Sequence, residues 1–390
     1  MRILYHHRTL GDGAEGIHVA EMVKAFRAQG HDVKVVSLIG EATNTATKGH
    51  RRWSKVARFL PGFLYEVAEI GYNLKGYGAL SKAAREFRPD FIYDRYVSYN
   101  YSAVAFGRRH GIPVILEVNS PYAYQRTTFD EKVYFKRIIR AFERKICSDA
   151  SRVIVVSTTL KRILVEIGVP SEKIVVMPNG VDPKAFHPRI DGTAIRRKLS
   201  LGDKTVVGFT GILRPWHGLD LLVEAFARLA KTRPNLHLVL IGDGPSRAEV
   251  EALASRLGMS DRLTVTGRLP HAEVKNYVAA LDIAVSPRAT PYSSPMKILE
   301  YMGLAKAIVA PDMENIRDII VPGKNGILFQ TESVESLAEQ IQKLGDDPAL
   351  RERLGKEARR TIDEGRTWGH NARDVVSIAE SLKTEAVPQA

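Results

Sequence analysis

The sequence predicts an α/β protein of two domains, each with a parallel sheet flanked by helices, and three observations carry that prediction. At 390 residues the chain is longer than one hydrophobic core usually supports, which gives two domains of roughly 180 residues each. Short β-branched runs alternate with helical stretches from residue 3 onward, the pattern of β-α-β units rather than of hairpins. The alternation pauses at MPNGVDPKAFHP, where the Asn179-Gly180 turn and prolines 183 and 188 punctuate the chain, and it restarts beyond. The hinge is therefore expected between 180 and 195.

Taken in order, Ile3 to Tyr5 form a first strand, Ile17 to Ala28 a helix and VKVVSL from Val33 a second strand. FIYDRY near Phe91, IPVILEV near Ile112 and RVIVVS from Arg152 are further strands, and KVYFKRIIRAFERKI is an amphipathic helix with Phe135, Ile138, Ile139 and Phe142 toward the core. The second half reads TVVGFT strand, Leu219–Ala230 helix, LHLVLIG strand, Arg247–Leu257 helix, LTVTG strand, Glu273–Leu281 helix and IAVSP strand. The strand AIVAP and the helix or loop IRDII follow, and WGHNARDVVSIAESL is a last helix.

Composition narrows the function classes. A single cysteine, Cys147, excludes a disulfide framework and fits a reducing compartment. The chain has no apolar run near the roughly 18 residues of a spanning helix, and RILYHH reads as a strand rather than a signal peptide, so a cytoplasmic location is expected. The net charge of +13 is lopsided: residues 1–187 carry 29 Lys and Arg against 18 Asp and Glu, net +11, and the remainder only +2. An anionic membrane or a polyanionic substrate suits that field. Nucleic acid does not, since no nucleic-acid-binding signature accompanies the charge.

Three stretches draw chemical interest. SSPMKILEYMG reads as a helix start, with Ser294 as N-cap, Pro295 in the first helical position, and Lys297, Glu300 and Tyr301 together on a polar face. A lysine in the first turn opposes the helix dipole, which is understandable if an anion sits between it and the free N–H groups; the same pattern also fits an amphipathic surface helix. GDGAEG has the G-x-G-x-x-G spacing at Gly11, Gly13 and Gly16. His6 to Leu10 separate it from the strand, and no acid ends the second strand, so a dinucleotide fold is not expected; backbone approach to a ligand at a helix N-terminus remains. Finally, Trp53, Phe59 and Phe63 interleave with Arg51, Arg52, Lys55 and Arg58, as in an interfacial membrane segment or a core helix with a basic wet side; Pro61 and Gly62 interrupt it.

Four segments in series carry a resemblance over nearly the whole chain: VVSTTLKR with MPNGVDPKAFHP, GFTGILRPWHGLDLLVEAF, LVLIGDGP with GRLP, and SPMKILEYMGLAKAIVAPDMENIRDII with GKNGILF. The chain resembles the retaining glycosyltransferases of family four, of the GT-B fold, as found in bacterial polysaccharide and glycolipid assembly. That resemblance implies two Rossmann-like domains facing a central cleft: 1–187 for the acceptor, 188–365 for the nucleotide sugar, and 366–390 as a helix crossing back. It places Glu300 on ribose hydroxyls, Gly242 and Arg268 near the base, and the amides of Ser294, Met296 and Ile298 on the diphosphate and sugar. Gly13, Gly16 and Asn119 would also border the donor.

Departures from the family pattern matter as much. Tyr292 stands where the first glutamate of the family's pair belongs, Ile212 and His217 where an arginine and a lysine usually neutralise the diphosphate, and Asn119 where a histidine is common. Arg214, His217 and Lys297 are therefore the expected catalytic cations. The chain contains no D-x-D triplet, so neither a metal nor another cofactor is expected, and a UDP-sugar is the favoured donor. The acceptor implied is a lipid-linked sugar or polysaccharide at the inner face of the plasma membrane. A soluble small-molecule acceptor, or a decayed site that only binds sugar nucleotides, are the alternatives.

Overall fold

The computed structural model describes residues 1–9, 13–37, 62–129 and 134–385. In chain order it contains β1 (Arg2–His7), α1 (Gly13–Ala28), β2 (Asp32–Ser37), α2 (Gly62–Phe87), β3 (Phe91–Arg95), α3 (Ser102–His110), β4 (Val114–Val118), α4 (Tyr122–Phe129), α5 (Lys136–Asp149), β5 (Arg152–Val155), α6 (Thr158–Glu166) and β6 (Ile174–Val176). There follow α7 (Thr193–Lys198), β7 (Thr205–Thr210), α8 (Leu219–Ala230), β8 (Leu236–Ile241), α9 (Arg247–Arg256), β9 (Leu263–Val265), α10 (His271–Ala279), β10 (Ile283–Val285), α11 (Met296–Gly303), β11 (Ala307–Pro311), α12 (Glu314–Arg317), β12 (Ile327–Phe329), α13 (Val334–Asp346), α14 (Pro348–Gly365) and α15 (Trp368–Glu385).

Two compact units result: residues 1–177 with 368–390, and residues 178–367. The first unit thus ends at Met177, earlier than the expected 187, because Asn179 and Val181 bond within the second unit, to Ser294 and Arg366. The first unit's sheet runs β2-β1-β3-β4-β5-β6, all parallel, with His6 opposite Asp94 and Arg95 opposite Glu117. β3 and β4 are buried along their whole length, as central strands covered by helices on both faces must be. α15 joins this unit through its first turn: His18 stacks edge-on against Trp368 at 4.7 Å, and Gln29 donates to the Gly369 carbonyl at 2.7 Å.

The second sheet runs β12-β11-β10-β7-β8-β9, also parallel. One of its faces packs Leu222, Phe226, Leu238 and Val285, the other Val206, Val239, Leu299 and Ile308. Its late helices have local causes: Ser333 caps α13 by accepting from Ser336 N–H, and Asp347 caps α14 with Pro348 at the first helical position.

Several sequence expectations are corrected. Ile138 is exposed rather than in the core; only Ile139 of that pair is buried, because α5 starts at Lys136 and turns the cationic face outward. Tyr301 is fully buried, and its hydroxyl accepts from Thr210 N–H at 2.8 Å, which fastens α11 to the end of β7. A helix, α2, begins at Gly62, while Pro61 and the residues before it, on which the expected interruption depends, lie outside the described residues. Trp53, Phe59 and their basic neighbours lie outside the described residues. Among those described, no helix is long and apolar enough to cross a membrane.

Candidate active site

In the second unit the chain leaves β7 toward β8 and β9, then returns to β10 and proceeds to β11 and β12 on the other side. The reversal falls between β7 and β10, and ligands of open parallel sheets bind outside the carboxyl ends of the strands at such a point. Three segments meet there: the loop after β7, the loop after β8, and the β10–α11 connection. Gly242 and Gly244 let the first two run backbone against backbone, since a Cβ on either would collide with the carbonyls of Gly211 and Leu213. Gly211 N–H donates to Ile241 and Leu213 N–H to Asp243, both at 3.0 Å. Gly242, expected near the base, therefore has a structural duty of its own, and its N–H donates to Thr266 Oγ at 3.0 Å. Arg268, two residues on from Thr266, has an exposed side chain.

Lys297, in the first turn of α11, lies over the ring of Phe209 with Nζ 3.9 Å from the centroid. This Nζ is buried and has no hydrogen-bond partner. Burial lowers the ammonium to about 7, and Glu300, one turn on, offsets only part of that. Glu300 is the mirror case, raised to about 7 by burial against a partial pull from Lys297. Its carboxylate has no side-chain donor among the described residues. His217 donates Nδ1–H to the Ile212 carbonyl at 2.6 Å, because a carbonyl can only accept. Burial, then the Lys297 charge, hold the imidazole down at about 4, so Nε2 carries a free lone pair.

Of the three expected cations, Lys297 and His217 come together and Arg214 does not join them. The Arg214 guanidinium stacks 4.8 Å from the Trp216 ring and lines a separate cavity of about 350 Å³ between α8 and α9, reaching His217 only as a charge. At the helix start, Pro295 rather than Ser294 occupies the N-cap, with no side-chain cap bond. The Ser294 hydroxyl is taken by Asn179 N–H at 3.0 Å. Ile298 N–H is also spent, on the Pro295 carbonyl at 3.1 Å, so the helical amides open to a ligand are those of Met296 and Lys297, and Ser294 N–H, ahead of the N-cap, likewise has no backbone acceptor among the described residues. Tyr292 is buried.

In the first unit, Gly13 opens α1 with φ 71° and Gly16 lies one turn in. Asn119 follows β4, and its amide donates to Glu117 Oε1 at 2.6 Å. The same oxygen receives His18 Nε2 at 2.6 Å and Arg95 at 3.1 Å. Burial alone would raise Glu117, but His18 and Arg95 outweigh it and hold the carboxyl at about 2. On the other face of the sheet His6 donates to Asp94 at 2.6 Å, both fully buried. Sequence reasoning missed His6, His18, Asp94, Arg95 and Glu117. The available signal was charged residues inside the apolar runs FIYDR and VILEV. Among the described residues, no group of three or more His, Cys, Asp or Glu is placed to hold a metal.

Comparison with known proteins places this geometry. Residues 191–361 match the family described as glycosyl transferases group 1, and residues 15–185 match glycosyltransferase family 4. A D-inositol 3-phosphate glycosyltransferase of Stackebrandtia nassauensis is 26% identical over 318 residues, 76% of this chain and 70% of that protein. The alpha-D-kanosaminyltransferase of Streptomyces kanamyceticus is 29% identical over 164 residues, 42% of each chain, so the match spans under half of that relative. In structure, a glycosyltransferase from Rickettsia africae superposes with a TM-score of 0.78 at 17% identity, covering 99% of both chains. Anabaena HepE, solved in complex with UDP, gives 0.74 at 18%, covering 98% of this chain and all of HepE. Two family matches in tandem, on two parallel sheets of this topology, make the chain a member of the family-four glycosyltransferases of the GT-B fold.

Proposed function

We propose that this enzyme moves a hexosyl group from a nucleoside-diphosphate sugar, with uridine the favoured base, to a lipid-linked or polysaccharide acceptor, with retention and without a metal. The observation that carries the donor reading is Lys297: a buried ammonium with no partner, beside two open amides at a helix N-terminus, is a place built for an anion. The diphosphate fits it, and the Glu300 carboxylate, equally unpartnered, suits the ribose hydroxyls. HepE, whose structures hold UDP and UDP-glucose, supports the choice of base.

In the reaction the bond between the anomeric carbon and the phosphate oxygen breaks, and its electron pair leaves with the diphosphate. Lys297, once protonated, and the α11 amides meet that developing charge, which is the main catalytic demand when the leaving group is already good. The acceptor oxygen bonds to the anomeric carbon on the face the phosphate leaves, and its proton passes to the departing phosphate oxygen.

The lipid-linked acceptor rests on the first unit. Phe63, Leu64, Val67 and Leu74 of α2 are exposed, Leu74 to 84%, and Phe63 meets the exposed Tyr134 ring at 6.4 Å. Lys136, Arg137 and Arg140 are exposed on α5 around Ile138, within the half that carries net +11. Apolar side chains rimmed by cations suit the cytoplasmic face of an anionic bilayer, each cation contributing on the order of 1 kcal/mol.

A panel of nucleotide sugars screened by mass spectrometry tests the donor, and NMR of the product tests retention. A UDP-sugar should be consumed, the anomeric configuration kept, and turnover should persist in EDTA; reversible loss of turnover in EDTA overturns the metal-free reading. The protein should pellet with anionic vesicles at low salt and less so after Phe63, Val67 and Leu74 are changed to Ser. Failure of the wild type to pellet, with transfer to a soluble acceptor, leaves the small-molecule alternative. No consumption of any donor leaves a decayed, sugar-nucleotide-binding site.

A further inference from the structure

We infer that Asn179 and Asn315 are positioning residues for the donor diphosphate, holding the β10–α11 connection in the form that opens the N-terminus of α11. The inference rests on the donor reading above and concerns two asparagines that touch neither Lys297 nor the open amides.

The connection from Thr290 to Pro295 has an unusual backbone chemistry. The peptides Thr290–Pro291 and Ser294–Pro295 end in proline, so neither carries an N–H, while each retains a strongly accepting carbonyl. A bare carbonyl oxygen turned toward an anion site would repel the ligand. Ser294 O is taken up by Asn179 Nδ2 at 2.8 Å, while Thr290 O accepts from Ser293 N–H at 3.1 Å and Ser293 Oγ at 2.9 Å and is tied to α12 by Asn315 Nδ2 at 3.0 Å. Asn315 also donates to Ser293 O at 2.7 Å, which fixes the peptide plane between Ser293 and Ser294. Asn179 adds its own backbone N–H, given to Ser294 Oγ at 3.0 Å.

Both asparagines are buried, and Oδ1 of each has no hydrogen-bond partner. A buried orphan acceptor is costly, so the residues are explained by what their NH₂ groups do. Aspartate would keep the shape but has nothing to donate and would bury a charge. Asn179 comes from the NG turn next to the boundary between the two units and Asn315 from α12, so the connection is held by two segments distant from it in sequence.

Calorimetry with the full chain decides the matter, using UDP and free uridine as paired probes, GDP and guanosine in parallel, and urea melts for stability. Asn325→Ala is the comparator: Asn325 is equally buried, accepts from Val321 N–H and donates to Ile319 O and Thr361, away from the connection. Asn179→Ala and Asn315→Ala should lose about tenfold in the ratio of diphosphate to nucleoside affinity, whereas Asn325→Ala should lower stability and leave the ratio alone. Should an asparagine variant fail to fold, Ser294→Ala removes only the hydroxyl that accepts from Asn179 N–H, and it should lower the same ratio by a smaller factor. An unchanged ratio in folded Asn179, Asn315 or Ser294 variants, or an equal fall in Asn325→Ala, overturns the inference. A wild type that binds neither diphosphate overturns the donor reading itself, and this inference with it.

Discussion

The two sheets end in polar clusters of opposite character. At the carboxyl ends of β3 and β4, Glu117 gathers Arg95, His18 and Asn119 on one oxygen, and His6 faces Asp94, so each charge has a counter-charge supplied by the fold. At the carboxyl ends of β7 and β10, Lys297 has only an aromatic face and Glu300 no donor, so both are displaced from their usual ionisation. The difference separates two uses of buried charge. A charge-paired cluster is held by the fold whether or not a ligand is present, even with Glu117 Oε2, Asp94 Oδ2 and His6 Nε2 lacking hydrogen-bond partners; an unpaired one costs stability and is compensated when a ligand arrives.

Removing one partner from each cluster tests that distinction directly. Glu117→Ala strands Arg95 and His18 in a buried site, and breaking a buried pair in this way costs about 3–5 kcal/mol. Urea denaturation of the full chain should show it. Lys297→Met should behave in the opposite manner: stability equal to or above wild type, because an unpaired buried ammonium is replaced by an apolar group, and kcat/KM lower by roughly 10²–10³, as for loss of one preorganised electrostatic contact. A Lys297 variant that is less stable yet fully active would erase the contrast.

The contrast also explains what was legible in the sequence. The sheets were, because VILEV, TVVGFT and LHLVLI are apolar runs of strand length between turn residues. Lys297 and Glu300 were legible as well, because a lysine in a first helical turn is locally out of place. Ser294 misled for the reason that its hydroxyl serves Asn179, 115 residues away, and no local rule anticipates such a partner. Tyr301 misled similarly: its helical phase put it on the polar face, but Thr210 N–H supplies the partner that lets a tyrosine be buried there. The Glu117 cluster joins residues from α1, β3 and β4, so it exists only once the sheet has brought them together. Asp347-Pro348, a cap followed by a first-turn proline, was a readable start for α14 that the strand-and-helix alternation passed over.

The smallest expected effect is also the one that distinguishes the members of the unsatisfied pair: a bell-shaped dependence of donor affinity on pH, with its maximum near 7. Burial holds Lys297 at about 7, and a bound diphosphate favours its charged form, raising it. Binding then takes up a proton above pH 7, and affinity falls about tenfold per pH unit until the raised value is reached. Glu300 also sits at about 7, but hydroxyl donors favour its ionised form and lower it. Binding then releases a proton below pH 7, and affinity falls as the pH drops. His217, held at about 4 by burial and then the Lys297 charge, starts well outside this window. A UDP-sugar is the proper probe, since its diphosphate is a diester with no ionisation between pH 6 and 9, unlike UDP. Lys297→Arg should flatten the alkaline limb alone, and Glu300→Gln the acid limb alone, in calorimetric titrations across that range. If both variants keep both limbs, the titrating groups are elsewhere, and the unpaired state of Lys297 and Glu300 has no part in donor binding.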